Sequence, residues 1–377
     1  MSRRFRVVSL RPASFEGSGD SRRAASIISA LRDAGALVDA QSILAQGEGI
    51  RSAVCHPRPV LSLFIAVLRY GRRLPLQWLV AQSLTTVSKG MANERTIYVT
   101  SRVAPASMPP SSVIDFVDSL ADNALSRAGQ SRVLRRFWLR EARLLSKWEC
   151  QLAAHVELAT AVSSEEAALI GPEVVAVANE RTIRDLESVP VSPAGTGKEQ
   201  RTIIFAGSLY YYPNHEAAVW MIKHLIPELM GRGWMPHQFV IAGRRPSKKL
   251  LSTASKAGVT VLADVSDISA LLRSANVSVV PMRLGSGVQG KVADSLVVGT
   301  PAVITPKANR GLGLKDSCLV RIVTRSPVCF ADAIEAMTTS TEPLIMPPDV
   351  AALIEASTPG VVQERWRELL LASDCGC

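Results

Sequence analysis

Three glycines and a lysine stand close together in Gly285-Ser286-Gly287-Val288-Gln289-Gly290-Lys291, with Asp294 one helical turn further on. These residue types at this spacing are suited to holding an anion. Glycines let backbone N–H groups approach a negatively charged oxygen, and a helix that starts directly after them adds the partial positive charge of its N-terminus. Lys291, in the first turn, can neutralise a phosphate, and Asp294 can accept hydrogen bonds from sugar or ribose hydroxyls. The flanking sequence supplies elements to position them. Val277–Pro281 is short, apolar and β-branched, and reads as a buried strand. Lys291–Val298 has helical spacing, ended by Gly299 and Pro301, and Ala302–Thr305 reads as the next strand. Strand, glycine loop, helix and strand make a parallel β/α unit whose loop lies at the strand's carboxyl end, where open α/β sheets bind ligands. Short glycine patterns also arise by chance, so on the glycines alone an ordinary turn is the simpler reading.

The chain has 377 residues, which suits two domains better than one core. Its 47% hydrophobic and 20% charged residues are those of a globular protein. No apolar run reaches the roughly 18 residues that span a bilayer, and the N-terminal apolar run is too short for a signal peptide. The six cysteines, at 55, 150, 318, 329, 375 and 377, lack metal-site spacing, so a reduced, cytoplasmic location is the default expectation. The histidines show no zinc spacing, and no Ser-His-Asp or Cys-His arrangement stands out. A formal net charge of +10 calls for an anionic partner, be it a nucleotide diphosphate, a phospholipid surface or a nucleic acid.

Taken in order, Arg6–Leu10 reads as the first strand, Ser21–Ala34 as a helix capped by Asp20 or Ser21, and Leu37–Ile43 as a second strand, with Gly17, Ser18 and Gly19 in the loop between. Leu61–Leu68 and Leu76–Val80 read as buried helices, and Arg95–Val99 as a strand. Asp115 and Asp118, in Val113–Ser119, are polar candidates or else end and cap local elements. Ser131–Ala154 is the most basic amphipathic stretch, with Phe137, Trp138, Leu145, Trp148 and Leu152 at helical spacing among six arginines and lysines. It fits a membrane-surface helix or a core helix with a solvated basic face. No recognised nucleic-acid-binding module accompanies the charge. Glu187–Gln200, rich in Pro, Gly and small polar residues, reads as a linker. A second β/α series follows, with strands at Thr202–Ala206, Gln238–Ala242 and Val259–Leu262.

The segment from Gly285 to Asp294, followed by Gly299-Thr300-Pro301-Ala302-Val303, resembles the donor-binding segment of retaining group 1 glycosyltransferases of the GT-B fold. Gly207-Ser208 with Pro213-Asn214, Gly243-Arg244, and Asp264-Val265-Ser266-Asp267 resemble further parts of that donor domain. The resemblance implies an α/β protein of two Rossmann-like domains facing each other across a cleft: an acceptor domain at 1–186, a linker at 187–200, a donor domain at 201–361, and a C-terminal helix at 362–377 returning to the first domain. It implies transfer of a sugar from a nucleotide-diphosphate sugar to an acceptor such as a cell-surface glycan or lipid-linked precursor. Lys291 and Asp294 would be catalytic; Gly207, Ser208, Arg244, Val265, Gly287 and Val288 would bind the donor. Gly17, Ser18, Gly19, Asp115 and Asp118 would line the first domain's side. No metal and no cofactor beyond the co-substrate are expected, and contact with the inner membrane face would run through 131–154. Three positions depart from the family pattern. Asp294 replaces a glutamate, Ser286 stands where the first acidic residue of the paired-glutamate motif would fall, and Ala178-Asn179-Glu180 replaces Pro-Asn-Gly. A weak or inactive homologue acting as a binding protein is therefore the alternative. A nucleotide-sugar epimerase, which shares the architecture, would be expected to carry a more developed acid/base constellation, and a Rossmann dehydrogenase fits least, since the first loop does not read G-x-G-x-x-G.

Overall fold

In a computed structural model of the chain, the structure describes residues 3–15, 19–44, 75–76, 78–80, 94–105, 108–129, 132–181, 201–285, 287–340 and 345–371. The chain forms two compact units, one made of 1–181 with 356–377 and the other of 182–355. The segments read as a helix at 61–68 and as a linker at 187–200 lie outside the described residues.

The first unit is built on β1 (Arg4–Ser9), α1 (Gly19–Asp33), β2 (Leu37–Ser42), β3 (Arg95–Val99), β4 (Val113–Asp115), α2 (Leu120–Ala128), α3 (Arg135–His155), β5 (Leu158–Ala161), α4 (Ser164–Ile170) and β6 (Val174–Ala176). Its six strands are parallel, in the order β2-β1-β3-β4-β5-β6. Parallel strands need helices on both faces, and two buried clusters meet that need. Ile27 and Leu31 of α1 pack with Phe5, Val7 and Ile97 on one face. Leu152 and Ala153 of α3 pack with Val8, Ile114 and Ala161 on the other. The C-terminal helix, Pro359–Leu371, belongs to this unit and buries Val362, Trp366 and Leu370 in the first of these clusters. Arg3 and Arg95 donate to its last carbonyls, of Leu371 and Leu370, at 2.5 and 2.6 Å, cations where the helix dipole favours them.

The interior of this unit is unusually polar. Arg23 of α1 makes a two-pronged ion pair with Asp115, Nε to Oδ2 at 2.8 Å and Nη2 to Oδ1 at 3.0 Å, with neither side chain more than 1% exposed. Its remaining N–H groups reach the carbonyls of Val177 and Ala178, and its guanidinium lies over the Trp366 ring at 4.8 Å. The Ala178-Asn179-Glu180 turn is held by Glu180, which accepts from Ser26 of α1 at 2.6 Å and from Gln363 of the C-terminal helix at 3.3 Å. Glu149, on the buried side of α3, accepts from Ser101, Ser119, Leu120 N–H and Ala121 N–H, so it satisfies the open donors at the N-terminus of α2. Glu166 adds a second carboxylate there, accepting from Ser119 N–H at 2.8 Å.

The second unit runs β7 (Ile203–Ala206), α5 (Tyr212–Trp220, continued through Met221–Gly231), β8 (Phe239–Gly243), α6 (Lys248–Lys256), β9 (Thr260–Ala263), α7 (Ile268–Arg273), β10 (Val277–Val280), α8 (Gly290–Val297), β11 (Ala302–Ile304), β12 (Val320–Ile322) and α9 (Pro327–Thr339). The strand order is β12-β11-β10-β7-β8-β9, again all parallel. This is the doubly wound order, in which the chain leaves β7 in one direction along the sheet and returns to its other side at β10. The switch point between β7 and β10 opens a crevice at their carboxyl ends. Sequence alone did not mark α2, α6 or β12. β12 is only three residues long, with one exposed, too brief to show a period.

Among the described residues, no helix is long and apolar enough to cross a membrane. Burial raises the Glu149 carboxyl from 4.5 to about 7 against the pull of its four donors. A folded value above the unfolded one stabilises the protein below pH 4.5, and that contribution is lost as pH rises to 7. In Glu149→Gln the fall in unfolding free energy between pH 4.5 and 7, followed by urea titration, should be visibly shallower than in the wild type.

Candidate functional site

The carboxyl edge of the second sheet gathers most of the residues singled out in the sequence. Gly207 and Ser208 follow β7, Arg244 follows β8, Val265 lies just past β9, and Gly287, Val288, Lys291 and Asp294 follow β10. The two loops at the switch point, after β7 and β10, are the ones that carry the glycines. A side chain would be crowded at Gly207, after β7, and excluded at Gly243, the last residue of β8. A Cβ on Gly207 would lie 3.0 Å from Asn214 Nδ2 and 3.2 Å from Lys291 Cε, and a Cβ on Gly243 would fall 1.7 Å from the Gly207 carbonyl oxygen. The ends of β7 and β8 thus meet backbone to backbone, and Lys291 lies directly over Gly207.

Lys291 is the electrostatic centre of this edge. It occupies the first turn of α8, whose N-cap, Gln289, makes no side-chain capping bond. Instead the Gln289 carbonyl Oε1 accepts from the Lys291 ammonium at 2.9 Å, and Met282 Sδ lies 3.9 Å from it. Burial among these groups lowers the lysine to about 8, with Asp294 opposing the fall. Asp294 itself is half-buried on the same helix. Beside the lysine, Asn214 is 6% exposed; its Nδ2 donates to the Ser208 carbonyl at 3.1 Å, while Asn214 Oδ1 and Ser208 Oγ are buried without a hydrogen-bond partner. Two orphaned oxygens beside a half-buried cation suit a ligand that brings both hydroxyl donors and negative charge.

The surrounding loops are held by specific contacts. Thr305, at the end of β11, donates to the Met282 carbonyl at 2.6 Å and fixes the start of the glycine loop. Arg283, in that loop, is 3.5 Å from Glu216 of α5, which also binds Arg325 through two bonds of 2.9 and 3.0 Å. On the β8–β9 side, Arg245 and Asp264 both take left-handed backbone, φ 52° each, and are tied by Arg245 N–H donating to Asp264 Oδ1 at 3.2 Å. The Arg245 guanidinium stacks 4.7 Å from the Tyr210 ring centroid. Arg244 is exposed, and its carbonyl accepts from Leu209 N–H at 3.0 Å. Val265 is half-buried against the cluster of Ile204, Ala206, Ala242 and Leu272.

Sequence reasoning passed over Gln289, Met282 and Glu216. The first two look like filler between glycines, and Glu216 gains its partners only through the fold. Ser286, Gly17 and Ser18 lie outside the described residues; Gly19 is the first residue of α1. Asp115, proposed for the first domain's side, is fully buried, with both oxygens engaged by Arg23 and a further bond from Thr160 at 2.7 Å. It is an internal structural group. Asp118 is half-buried just beyond Val117, a β-branched residue with φ 64°. Among the described residues, no group of three His, Cys, Asp or Glu side chains converges as a metal site.

Residues 200–340, nearly all of the described second unit, match the model of the family "glycosyl transferases group 1". Solved structures match over the whole chain. HepE of Anabaena, in complex with UDP and glucose, is 10% identical with a TM-score of 0.57, covering 98% of this chain and 100% of HepE. WaaG, a glycosyltransferase involved in lipopolysaccharide biosynthesis, is 13% identical with a TM-score of 0.57, covering 98% of both chains. The fold is the GT-B fold of the glycosyltransferases. The match to TarM, 10% identical with a TM-score of 0.51, takes in 78% of this chain and 58% of TarM, so this chain spans little more than half of that protein. A sequence comparison with curated proteins returns no match.

With its partner changed to a neutral amide, the Arg23 guanidinium would be a buried, half-compensated charge. Asp115→Asn should therefore cost about 3–5 kcal/mol of stability in denaturant unfolding.

Proposed function

We propose that the protein is a retaining, metal-independent glycosyltransferase that moves a hexose from a nucleotide-diphosphate sugar to a glycan or lipid-linked acceptor. The observation that carries this reading is the half-buried Lys291 ammonium over Gly207 at the switch point, on a helix whose N-cap side chain makes no capping bond. A diphosphate placed there would meet the cation, the Gly287 and Val288 amides and the helix terminus. In the reaction, the bond between the anomeric carbon and the phosphate oxygen breaks and a bond to the acceptor hydroxyl oxygen forms. The acceptor's proton passes to the leaving diphosphate. Charge grows on that diphosphate in the transition state, where fixed positive groups contribute most. Asn214 Oδ1, Ser208 Oγ and Asp294 would accept hydrogen bonds from donor hydroxyls, and the Arg244 and Val265 loops would frame the base. That HepE was solved with UDP and glucose makes UDP the first nucleotide to try.

A second reading rests on Asp294, whose carboxylate is one methylene shorter than the family's glutamate: a weakened or inactive homologue that binds the nucleotide sugar. Asp294→Glu separates the two. A gain in sugar transfer points to a tuned-down enzyme, and transfer that stays at zero with intact nucleotide binding points to a binding protein.

We place the enzyme at the cytoplasmic face of a membrane, through α3. The helix buries Ala142, Leu145, Glu149 and Leu152 in its own unit, so that face is taken, and the exposed large apolar residues of the stretch lie at its N-terminal end. There Val133 is 92% and Leu134 50% exposed, between the exposed Arg132, Arg135 and Arg136. Basic residues at a helix N-terminus oppose the dipole and are stabilised by an anionic surface.

Calorimetry with UDP, GDP, dTDP and ADP tests the donor site. One nucleotide should bind, and Lys291→Ala should weaken it by about 10- to 100-fold, the worth of one charge-assisted bond. Absence of binding to all four would refute the transferase reading. In vesicle flotation, the wild type should float with anionic but not neutral phospholipid, and a Val133→Asp, Leu134→Asp double variant should remain with the unbound protein.

A further inference from the structure

The side chain of Gln289 has an unusual position for an N-cap residue. Capping side chains ordinarily turn toward the free N–H groups of their own helix; this one turns away and is 93% buried in residue terms, at 7% exposure. Its carbonyl oxygen is 2.9 Å from the Lys291 ammonium, and its amide nitrogen lies against Gly285, where a Cβ would come within 3.1 Å. Gly285 has φ +115°, a backbone state that glycine adopts readily. The glycine thereby does two jobs, turning the chain and making room for the amide. The backbone stays in register as well, since Gln289 C=O accepts from Val292 N–H at 2.9 Å in the first turn of α8.

We infer that Gln289 is a positioning residue that holds the Lys291 ammonium over Gly207 through its side-chain carbonyl. The functional meaning of that hold rests on the donor-site reading above. A lysine has a long, flexible stem, and keeping its charge at one point costs side-chain entropy. An acceptor supplied by a packed, neutral side chain removes that cost without cancelling the charge that an anion needs. A carboxylate at the same place would orient the lysine equally well but would neutralise it. The groups that face the ammonium are neutral on the loop side (Gln289, Met282) and on α5 (Asn214), and Asp294 is the charged group acting on it from α8. Gln289 therefore fixes the cation's place, and exchanging it for a charged or non-accepting residue should change the lysine's proton affinity in opposite directions.

The test uses the full-length protein and two near-isosteres, Gln289→Glu and Gln289→Met, with two independent readouts. Competitive acetylation by acetic anhydride, read by peptide mass spectrometry, gives the pH midpoint at which the Lys291 amine becomes reactive, with no ligand present. Calorimetry gives affinity for UDP from pH 6 to 10. In Gln289→Glu the acetylation midpoint should rise by about one to three pH units, as for a new carboxylate within contact distance, while UDP affinity at pH 7 falls about tenfold. In Gln289→Met the midpoint should drop and UDP affinity should also fall about tenfold. A Lys291 midpoint identical in all three proteins overturns the inference. Shifted midpoints with no UDP binding in any of the three uphold the role of Gln289 and count against the donor site instead.

Discussion

An ammonium is strongly hydrated, and removing it from water is tolerated only where the site repays the loss. Lys291 is partly withdrawn from water, with an amide oxygen at 2.9 Å and a thioether sulfur at 3.9 Å from its ammonium. Much of the second unit's architecture follows from keeping that group where it is. β10 must deliver a loop at the switch point, Thr305 and Arg283 must anchor the loop, and Gly207 must lack a side chain so that the lysine stem can cross it. Gly243 must in turn lack one so that β8 can end against Gly207. The orphaned oxygens of Asn214 and Ser208 complete the pattern. Each is a cost to the folded protein taken alone, and together they are what a polyhydroxylated anion would relieve.

The first unit resolves its buried charge in the opposite way. Arg23 and Asp115 satisfy one another, with carbonyls and an aromatic face covering what is left. A pair this enclosed gains little net stability over apolar residues of the same size. Its effect is positional: it fastens α1 to β4 and to the 177–178 carbonyls, while Glu180 extends the same network to the C-terminal helix.

The repeated β/α order and the glycine loop were legible because they depend on local signals: β-branched runs, glycine breaks and helical spacing. The strand at Val277–Val280, the helix at Gly290–Val297 and the strand at Ala302–Ile304 lie within a residue or two of where the sequence put them. Long-range partnership was not legible. Asp115 reads as an end-of-strand carboxylate with a free choice of ligand until α1, 92 residues away in sequence, brings Arg23 to it. The basic stretch at 131–154 shows the same limit. Its hydrophobic spacing predicts an amphipathic helix, and α3 is one, but the periodicity cannot tell that Glu149 lies on the buried face. That glutamate is held there by the N-terminus of α2, an element the sequence did not signal.

The two units also differ in how they treat one helix N-terminus each, that of α2 and that of α8. At α2 the N–H groups of residues 119–121 are already taken by Glu149 and Glu166, and Ser119 caps Asp122 N–H. The protein has supplied its own carboxyl acceptors, so these donors are already satisfied. At α8 the N-cap side chain is turned away from the helix, a cation stands where α2 has carboxylates, and the preceding loop is glycine. Both ends are built from the same parallel β/α logic and carry the same dipole. What separates them is a pair of glutamates at one helix end and a lysine at the other.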